Sequence, residues 1–363
     1  MIIQPQKTSP CTDIRNLERG QLVKFFEASG MRSFRAEQTL RWLYFRRAAS
    51  FAEMTDLAKD ARRLLVESFT IGKPEISDIR TSGDGTTKFL FALEDGNLVE
   101  AVLIPEKDHY TLCISTQVGC AMGCTFCMTG KNGLTRNLTR AEIIGQIIAA
   151  MDEADARGDM RLSNLVLMGM GEPLANYRNV VSAMEAITDS NWGLKFSTRR
   201  VTLSTAGLAD RLDDLAADTR IRLAVSLNAA DNETRSRLMP VNKTYPLERL
   251  MDACSRYPLQ PRDKITFEYI LIKGVNDSPK DARRLADLLR PVRAKINLIP
   301  FNSHPESGFS RPDTETIEAF RSVLTGKNYT AIIRWSKGTD ISAACGQLSG
   351  ESSRAAAMTE KLP

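Results

Sequence analysis

Histidine is nearly absent from this chain of 363 residues, with His109 and His304 the whole supply. That argues against a multi-histidine metal site and against a histidine-centred triad, since a lone histidine is more often structural than chemical. Long apolar runs are missing as well. No stretch approaches the roughly 18 residues of a membrane span, and Met1 to Arg15 lacks the continuous apolar core of a signal peptide, so a cytoplasmic protein is expected. The seven cysteines do not form a secreted disulfide pattern, because three of them crowd between Cys120 and Cys127 of a large chain, a ligand-like spacing. Charge of either sign is in no great excess. A net charge of +5 permits a polyanionic partner without requiring one.

What is present is ordinary globular material, 42% hydrophobic and 26% charged, enough for one large core and a smaller appendage. Residues 13–75 read as a small helical domain, with Leu22, Phe25 and Phe26 and then Leu40, Leu43 and Tyr44 at helical spacing. In residues 76–110, Gly-Asp-Gly and Glu-Asp-Gly turns separate short strand-like runs, which predicts a β-hairpin extension. From 111 to 348, apolar runs at Thr111–Ser115, Asn164–Met168, Arg200–Leu203, Arg222–Val225, Ile265–Ile272, Ile296–Ile299 and Ala331–Trp335 alternate with helix candidates at Arg140–Ala154, Asn179–Thr188, Leu247–Tyr257 and Pro279–Leu289. That alternation predicts an α/β fold with a parallel sheet, closed as a full or partial βα barrel. Small and polar residues follow each run: Gly169 to Pro173, Ser204 to Gly207, Ser226 to Asn228 and Pro300 to Asn302. In a βα barrel the C-terminal strand ends carry the active site, so these segments are expected to converge. Residues 349–363 read as a flexible tail.

Cys120-Ala-Met-Gly-Cys124-Thr-Phe-Cys127 places three thiolates after a strand and before a helix. Zinc would want a fourth ligand, and Cys11, Cys113, Cys254 and Cys345 supply no second pair. Soft thiolates with one ligand missing suit a four-iron cluster with one open iron. This Cys-x-x-x-Cys-x-x-Cys spacing, with Phe126 before its last cysteine, resembles the signature of the radical S-adenosylmethionine (SAM) superfamily. The resemblance implies a [4Fe-4S] cluster on Cys120, Cys124 and Cys127, whose open iron chelates the amino and carboxylate groups of SAM. It also implies that Glu172, in Gly169-Met-Gly-Glu-Pro173, holds the ammonium of SAM.

Further segments resemble one branch of that superfamily, the bacterial adenine-C2 RNA methyltransferases of the RlmN family and their C8-methylating sister family, Cfr. They are Phe34 to Tyr44, Val99 to Ile104, Leu112 to Cys120, Gly133 to Leu138 and Asp340 to Leu348. The resemblance implies a two-stage reaction that consumes two SAM per turnover. Cys345 is methylated first, and a 5'-deoxyadenosyl radical from a second SAM then takes a hydrogen from the S-methyl group. The carbon radical adds to the ring, an electron-poor position that cannot attack a sulfonium as an amine does. Glu100 then takes the ring proton and Cys113 attacks Cys345, leaving a disulfide and the methylated base. Cofactor contacts carried over in the same way are Gly171, Glu172, Ser204, Ser226, Leu227, Asn228 and Asn302. Met128 departs from the pattern, where the family is expected to carry a smaller residue.

The implied partners are 23S ribosomal RNA, transfer RNA beside the anticodon, and an external electron donor, with the enzyme a monomer. Two basic stretches are candidates for RNA contact: Arg41 to Arg47 together with Arg62 and Arg63, where cations alternate with aromatics, and Lys131 to Arg140, which contains no acid. Methylation at carbon 8, radical chemistry on a substrate other than RNA, and a non-catalytic electron carrier stay open as alternatives.

Overall fold

The protein is described by a computed structural model over residues 12–72, 74–304 and 307–350; Cys11 and residues 351–363 lie outside the described residues. The chain begins with β1 (Thr12–Asp13), followed by helices α1 (Arg19–Ala28), α2 (Phe34–Leu40) and α3 (Lys59–Ser68), and β2 (Phe69–Thr70) returns to pair in parallel with β1. The helices form because their apolar residues recur every three or four positions: α1 buries Leu22 and Phe26, α3 buries Ala61 and Leu65. A π-helical turn after α2 buries Trp42, Leu43 and Tyr44.

Next come β3 (Glu75–Thr81), β4 (Thr87–Ala92), β5 (Leu98–Pro105) and β6 (His109–Cys113), and then a small antiparallel ribbon, β7 (Gln117–Gly119) with β8 (Leu134–Asn137), that brackets the cysteine loop and helix α4 (Met128–Lys131). The rest alternates: α5 (Arg140–Arg157), β9 (Arg161–Leu167), α6 (Tyr177–Thr188), β10 (Val201–Thr205), α7 (Leu212–Asp218), β11 (Arg222–Ser226), α8 (Asn232–Leu238), α9 (Leu247–Arg256), β12 (Ile265–Leu271), α10 (Pro279–Leu288), β13 (Ala294–Pro300), α11 (Thr314–Gly326) and β14 (Thr330–Ile333). One ten-stranded sheet runs β14-β13-β12-β11-β10-β9-β6-β5-β4-β3. Pairs from β6 to β14 are parallel, which is the partial βα barrel expected from the alternation of strand and helix.

Strands β11 to β13 carry different chemistry on their two faces. Phe267, Tyr269, Ile296 and Leu298 are fully or almost fully buried and face the helices, while Ser226, Glu268 and Asn297 give the lumen a polar lining. Helix α5 starts at a capping box, Thr139 with Glu142, and stops at Gly158, whose φ of 70° only glycine adopts at little cost.

Three differences from the sequence reading have plain causes. The hairpin strands belong to the barrel's own sheet, because Val102 to Pro105 of β5 pair with Cys113 to Tyr110 of β6. Helix α11 was not foreseen, although its Asp313 cap and the buried Ile317, Phe320 and Leu324 give a clear helical period. Ser349 and Gly350, placed in the tail by the sequence reading, donate their N–H groups to the Glu100 carboxylate at 2.9 and 3.3 Å.

One buried cation ties the strand-end loops together. Arg235 on α8 is 0% exposed and donates to the carbonyls of Ala206 (2.7 Å) and Leu227 (3.1 Å) and to Asn242 Oδ1 (2.9 Å). Arg235→Met leaves these oxygens unpaired in the core, and a loss of about 3 kcal/mol is expected. Urea unfolding reads it directly; a change within experimental error would mean that the loops hold without this tie.

Candidate active site

The cysteine loop is held from several sides. Cys120 N–H donates to the Gly133 carbonyl (2.7 Å), Thr125 N–H to Leu238 (3.0 Å) and Cys127 N–H to Cys124 (3.1 Å). Gly119 has φ +75°, and a Cβ there would stand 1.9 Å from the Gly133 carbonyl oxygen, so only glycine lets the ribbon close beside Cys120. Burial, followed by nearby negative charge, pushes the Cys120 thiol up to about 12 and the Cys124 thiol higher still, with Cys127 among the groups acting on both. Three mutually repelling sulfurs fit a cationic iron cluster. Among the described residues no group of three such side chains closes on a single metal ion.

The segment after β9 closes onto the segment after β6. Gly169 N–H donates to Ile114 (3.0 Å), Thr116 N–H to Met170 (2.8 Å) and Glu172 N–H to Gln117 Oε1 (2.8 Å). Gly171 has φ +99°, and a Cβ would meet Gln117 Cβ at 2.5 Å. The result is a buried Glu172 whose oxygens accept from Leu174 N–H (3.0 Å) and Ala206 N–H (2.6 Å). Burial raises its carboxyl to about 7, as expected of an acid short of a cation.

The remaining strand ends differ in what they offer. Ser204 Oγ and Ser226 Oγ stand 3.4 Å apart, facing the lumen. Leu227 is buried and so can present a ligand only its backbone. Asn228, at φ +58°, is committed locally: its Oδ1 accepts from Ile270 N–H (2.9 Å) and its amide lies 3.2 Å from Met239 sulfur. Asn302 donates to the Cys345 carbonyl (3.1 Å) and accepts from Arg311 (3.1 Å).

Cys345 lies on a segment sewn to the cluster loop. Met128 N–H donates to Gly346 (2.9 Å), Thr129 Oγ1 to Leu348 (2.6 Å) and Asn132 to Ser349 (3.1 Å). The residue is open to solvent, yet surrounding protein raises its thiol to about 11, helped by the charge of Glu268. Cys113, buried at the end of β6, is pushed well above the thiol range by burial and then by Cys345, so the two thiols lie within electrostatic reach of each other. Glu100 is 0% exposed and forms an ion pair with Lys88 at 3.1 Å.

Comparison with known proteins fits this geometry. Residues 114–286 match the radical SAM superfamily, and residues 12–71 match the ribosomal RNA large subunit methyltransferase N-terminal domain. Over 339 residues the chain is 56% identical to the dual-specificity RNA methyltransferase RlmN of Desulfosudis oleivorans, covering 93% of this chain and 91% of that protein. The corresponding protein of Geobacter sulfurreducens is 51% identical over 339 residues, at 93% and 92% coverage. The chain belongs to the RlmN family. The crystal structure of a radical SAM methyltransferase from Sphaerobacter thermophilus superposes with a TM-score of 0.88 at 41% identity, covering 94% of this chain and 100% of that one.

As a member of the RlmN family the chain is a radical SAM enzyme, with a [4Fe-4S] cluster and SAM as cofactors. No helix among the described residues is long and apolar enough to cross a membrane. No disulfide is present among the described residues: Cys113 and Cys345, between which the resemblance implies one as the outcome of turnover, are free thiols here, as is the buried Cys254.

The basic stretches also need correction. Arg136 is bonded to Glu142 (2.8 Å) and to Asp95, and Arg140 is buried against the Tyr44 hydroxyl (2.7 Å) and the Ser182 carbonyl (3.1 Å). Their partners come from outside the stretch, which is why it read as free charge. Trp42 and Tyr44 are likewise core, with Arg46 stacked on Trp42 at 4.1 Å; Phe45 is 57% exposed, with Lys195 Nζ 3.8 Å over its ring.

The sequence reading missed Glu268, which accepts from Asn297 Nδ2 (2.9 Å) on the lumen face, and gave His304 no part, although its Nε2 lies 3.3 Å from the Phe126 carbonyl in the cluster loop. A glutamate at an inward position of an apolar strand was the available signal. Burial raises the Glu268 carboxyl from 4.5 to about 7. The folded protein therefore keeps a proton that the unfolded chain has released, and this group subtracts stability as pH rises from about 4.5, levelling off above about 7, by up to about 3 kcal/mol. In Glu268→Gln that part of the decline is expected to vanish, as urea unfolding at a series of pH values would show; identical pH profiles for the two proteins would refute it.

Proposed function

We propose that the chain methylates carbon 2 of an adenine in 23S ribosomal RNA and of the adenine beside the anticodon in transfer RNA. The observation that carries this reading is the meeting of Cys113, Cys345 and the three-cysteine loop at one barrel mouth, in a chain 56% identical to a dual-specificity RNA methyltransferase. The division of labour is residues 13–75 as the RNA-binding accessory domain, 76–110 as the hairpin extension and 111–348 as the barrel. The enzyme works in the cytoplasm as a monomer served by an external electron donor.

Cys120, Cys124 and Cys127 would hold the cluster. Gly171, Glu172, Ser204, Ser226, Leu227, Asn228 and Asn302 would hold SAM: Glu172 by charge, the serines by hydroxyls at the pocket wall, and Gly171, Leu227 and Asn228 by backbone groups. Bound together, cluster and SAM supply the methyl group and the one-electron chemistry, with two SAM spent per turnover.

Cys345 carries the methyl, because its open position suits a sulfur that must be alkylated and then meet the RNA base; its thiol, held protonated by its surroundings, gives up a proton as the S–CH3 bond forms. Glu100 receives the ring proton; for this it must exchange its present partners, Lys88, Ser349 N–H and Gly350 N–H. Cys113 then attacks the Cys345 sulfur, forming an S–S bond as the bond from that sulfur to the bridging carbon breaks. The proton of the Cys113 thiol passes to this carbon to complete the methyl group, and the adduct's unpaired electron would pass to the oxidised cluster. The target adenine leaves its stack to reach this mouth.

Two outcomes test the scheme. Nucleosides from RNA treated with the reduced, cluster-loaded enzyme and SAM should contain 2-methyladenosine by mass spectrometry; 8-methyladenosine alone would move the target carbon. Cys345→Ala should lose all product, and Cys113→Ala should accumulate RNA covalently joined to protein, visible as a shifted band on a denaturing gel. Clean turnover by Cys113→Ala would remove it from its resolving role.

A further inference from the structure

The lumen carries charge that the scheme above leaves without a task. Ser204 with Ser226, and Glu268 with Asn297, approach across neighbouring strands at 3.4 and 2.9 Å, which fixes the face these residues share. Side chains alternate along a strand, so Arg222, four residues before Ser226, and Lys295, two before Asn297, lie on that same face. Ile332 is in register with Asn297, and Arg334 follows two residues later, its N–H still donating to Leu298 at 2.8 Å. Three cations thus converge from β11, β13 and the end of β14.

None of the three makes a side-chain hydrogen bond or ion pair among the described residues. Lys295 is half-buried, and its pKa is lowered by burial and then by Arg222 and Arg334, so the cations repel one another at close range. Glu268 is the acid that acts on Lys295, and burial raises its own pKa to about 7, which weakens it as a counter-charge. Folding gains nothing from like charges gathered around the half-buried Lys295, with Arg222 and Arg334 exposed on either side of it. A polyanion does.

Two further observations say which polyanion. Arg334 and Glu268 both act on the Cys345 thiol, so Arg334 adjoins the methyl-carrying residue, while Lys295 and Arg222 continue the charge from it toward the N-terminal strand ends. The barrel is open at this edge, where Ile332 and Trp335 are 45% and 52% exposed and offer apolar surface next to the positive charge. Cations beside exposed apolar groups suit a nucleotide strand, whose phosphates and rings need both.

We propose that Arg222, Lys295 and Arg334 seat the phosphates of the RNA strand that presents the target base to Cys345. This rests on the RNA methyltransferase reading and places RNA contact inside the barrel opening, apart from the helical N-terminal segment. The cations act as positioning residues; they take no part in bond making.

The test is binding of a labelled anticodon stem-loop RNA to the full-length, cluster-loaded protein, followed from about 50 to 200 mM salt. Arg222→Gln, Lys295→Gln and Arg334→Gln should each weaken binding several-fold and reduce the slope of log affinity against log salt by about 0.7. Arg334→Lys should keep the slope, and Arg290→Gln, at an exposed surface pair with Asp287, serves as the control. Slopes equal to wild type in all three variants would overturn the seat. So would loss of Cys345 methylation in the absence of RNA, read by intact-protein mass, because the cations would then serve the carboxylate of SAM. Failure of the methyltransferase reading looks different: wild-type protein would yield no methyladenosine, whatever the binding slopes.

Discussion

The geometry of the site depends on one buried ion pair. Lys88 and Glu100, 4% and 0% exposed, meet at 3.1 Å between adjacent antiparallel strands. Taking two charges out of water costs several kcal/mol per ion, and their attraction offsets that only when the remaining donors and acceptors are also used. Here they are. Lys88 donates to the Ser342 carbonyl at 3.3 Å, and Glu100 accepts from Ser349 and Gly350 N–H. The pair therefore pins both ends of the segment that carries Cys345, three residues after one anchor and four before the other. Neither the barrel nor the cluster loop fixes that segment alone.

Between those anchors the segment is shared by two neighbours. Its Gly346 and Leu348 carbonyls accept from the start of α4, just after Cys127, while Asn302, past β13, holds the Cys345 carbonyl. A displacement of the cluster loop would thus be felt at Cys345, and the reverse. The wall opposite is built by backbone pairing between residues 114–117 and 169–172, where glycines let two chains approach more closely than any side chain would allow. Rigid elements carry the reactive groups, and glycines permit the close contacts.

Much of this was legible in the sequence where chemistry is local. The spacing of Cys120, Cys124 and Cys127 encodes a cluster loop because ligands to one cofactor must lie close in a short chain segment. The strand ends Gly169 to Pro173 and Ser204 to Gly207 announced themselves by small and polar residues after apolar runs. What misled was charge. Arg136 and Arg140 looked like free cations because their partners Asp95, Glu142 and Tyr44 lie outside the stretch. The aromatics of Arg41 to Arg47 could not be sorted into buried and open rings, because exposure is not written in a helical pattern that places aromatics on several faces. Glu268 was hidden for the opposite reason, a single acid inside a run of buried strand residues.

The sequence by itself determined the cofactor chemistry, the alternation that makes a βα barrel, and the family. Those follow from contiguous residues whose spacing is fixed by bond lengths and by the periods of helix and strand. Tertiary structure alone decided how the Cys345 segment is sewn to the cluster loop, that Glu100 is held by Lys88, and that Arg222, Lys295 and Arg334 share one face of the lumen. Each of these joins segments far apart along the chain, and strand register with loop closure sets such distances, which no local period records.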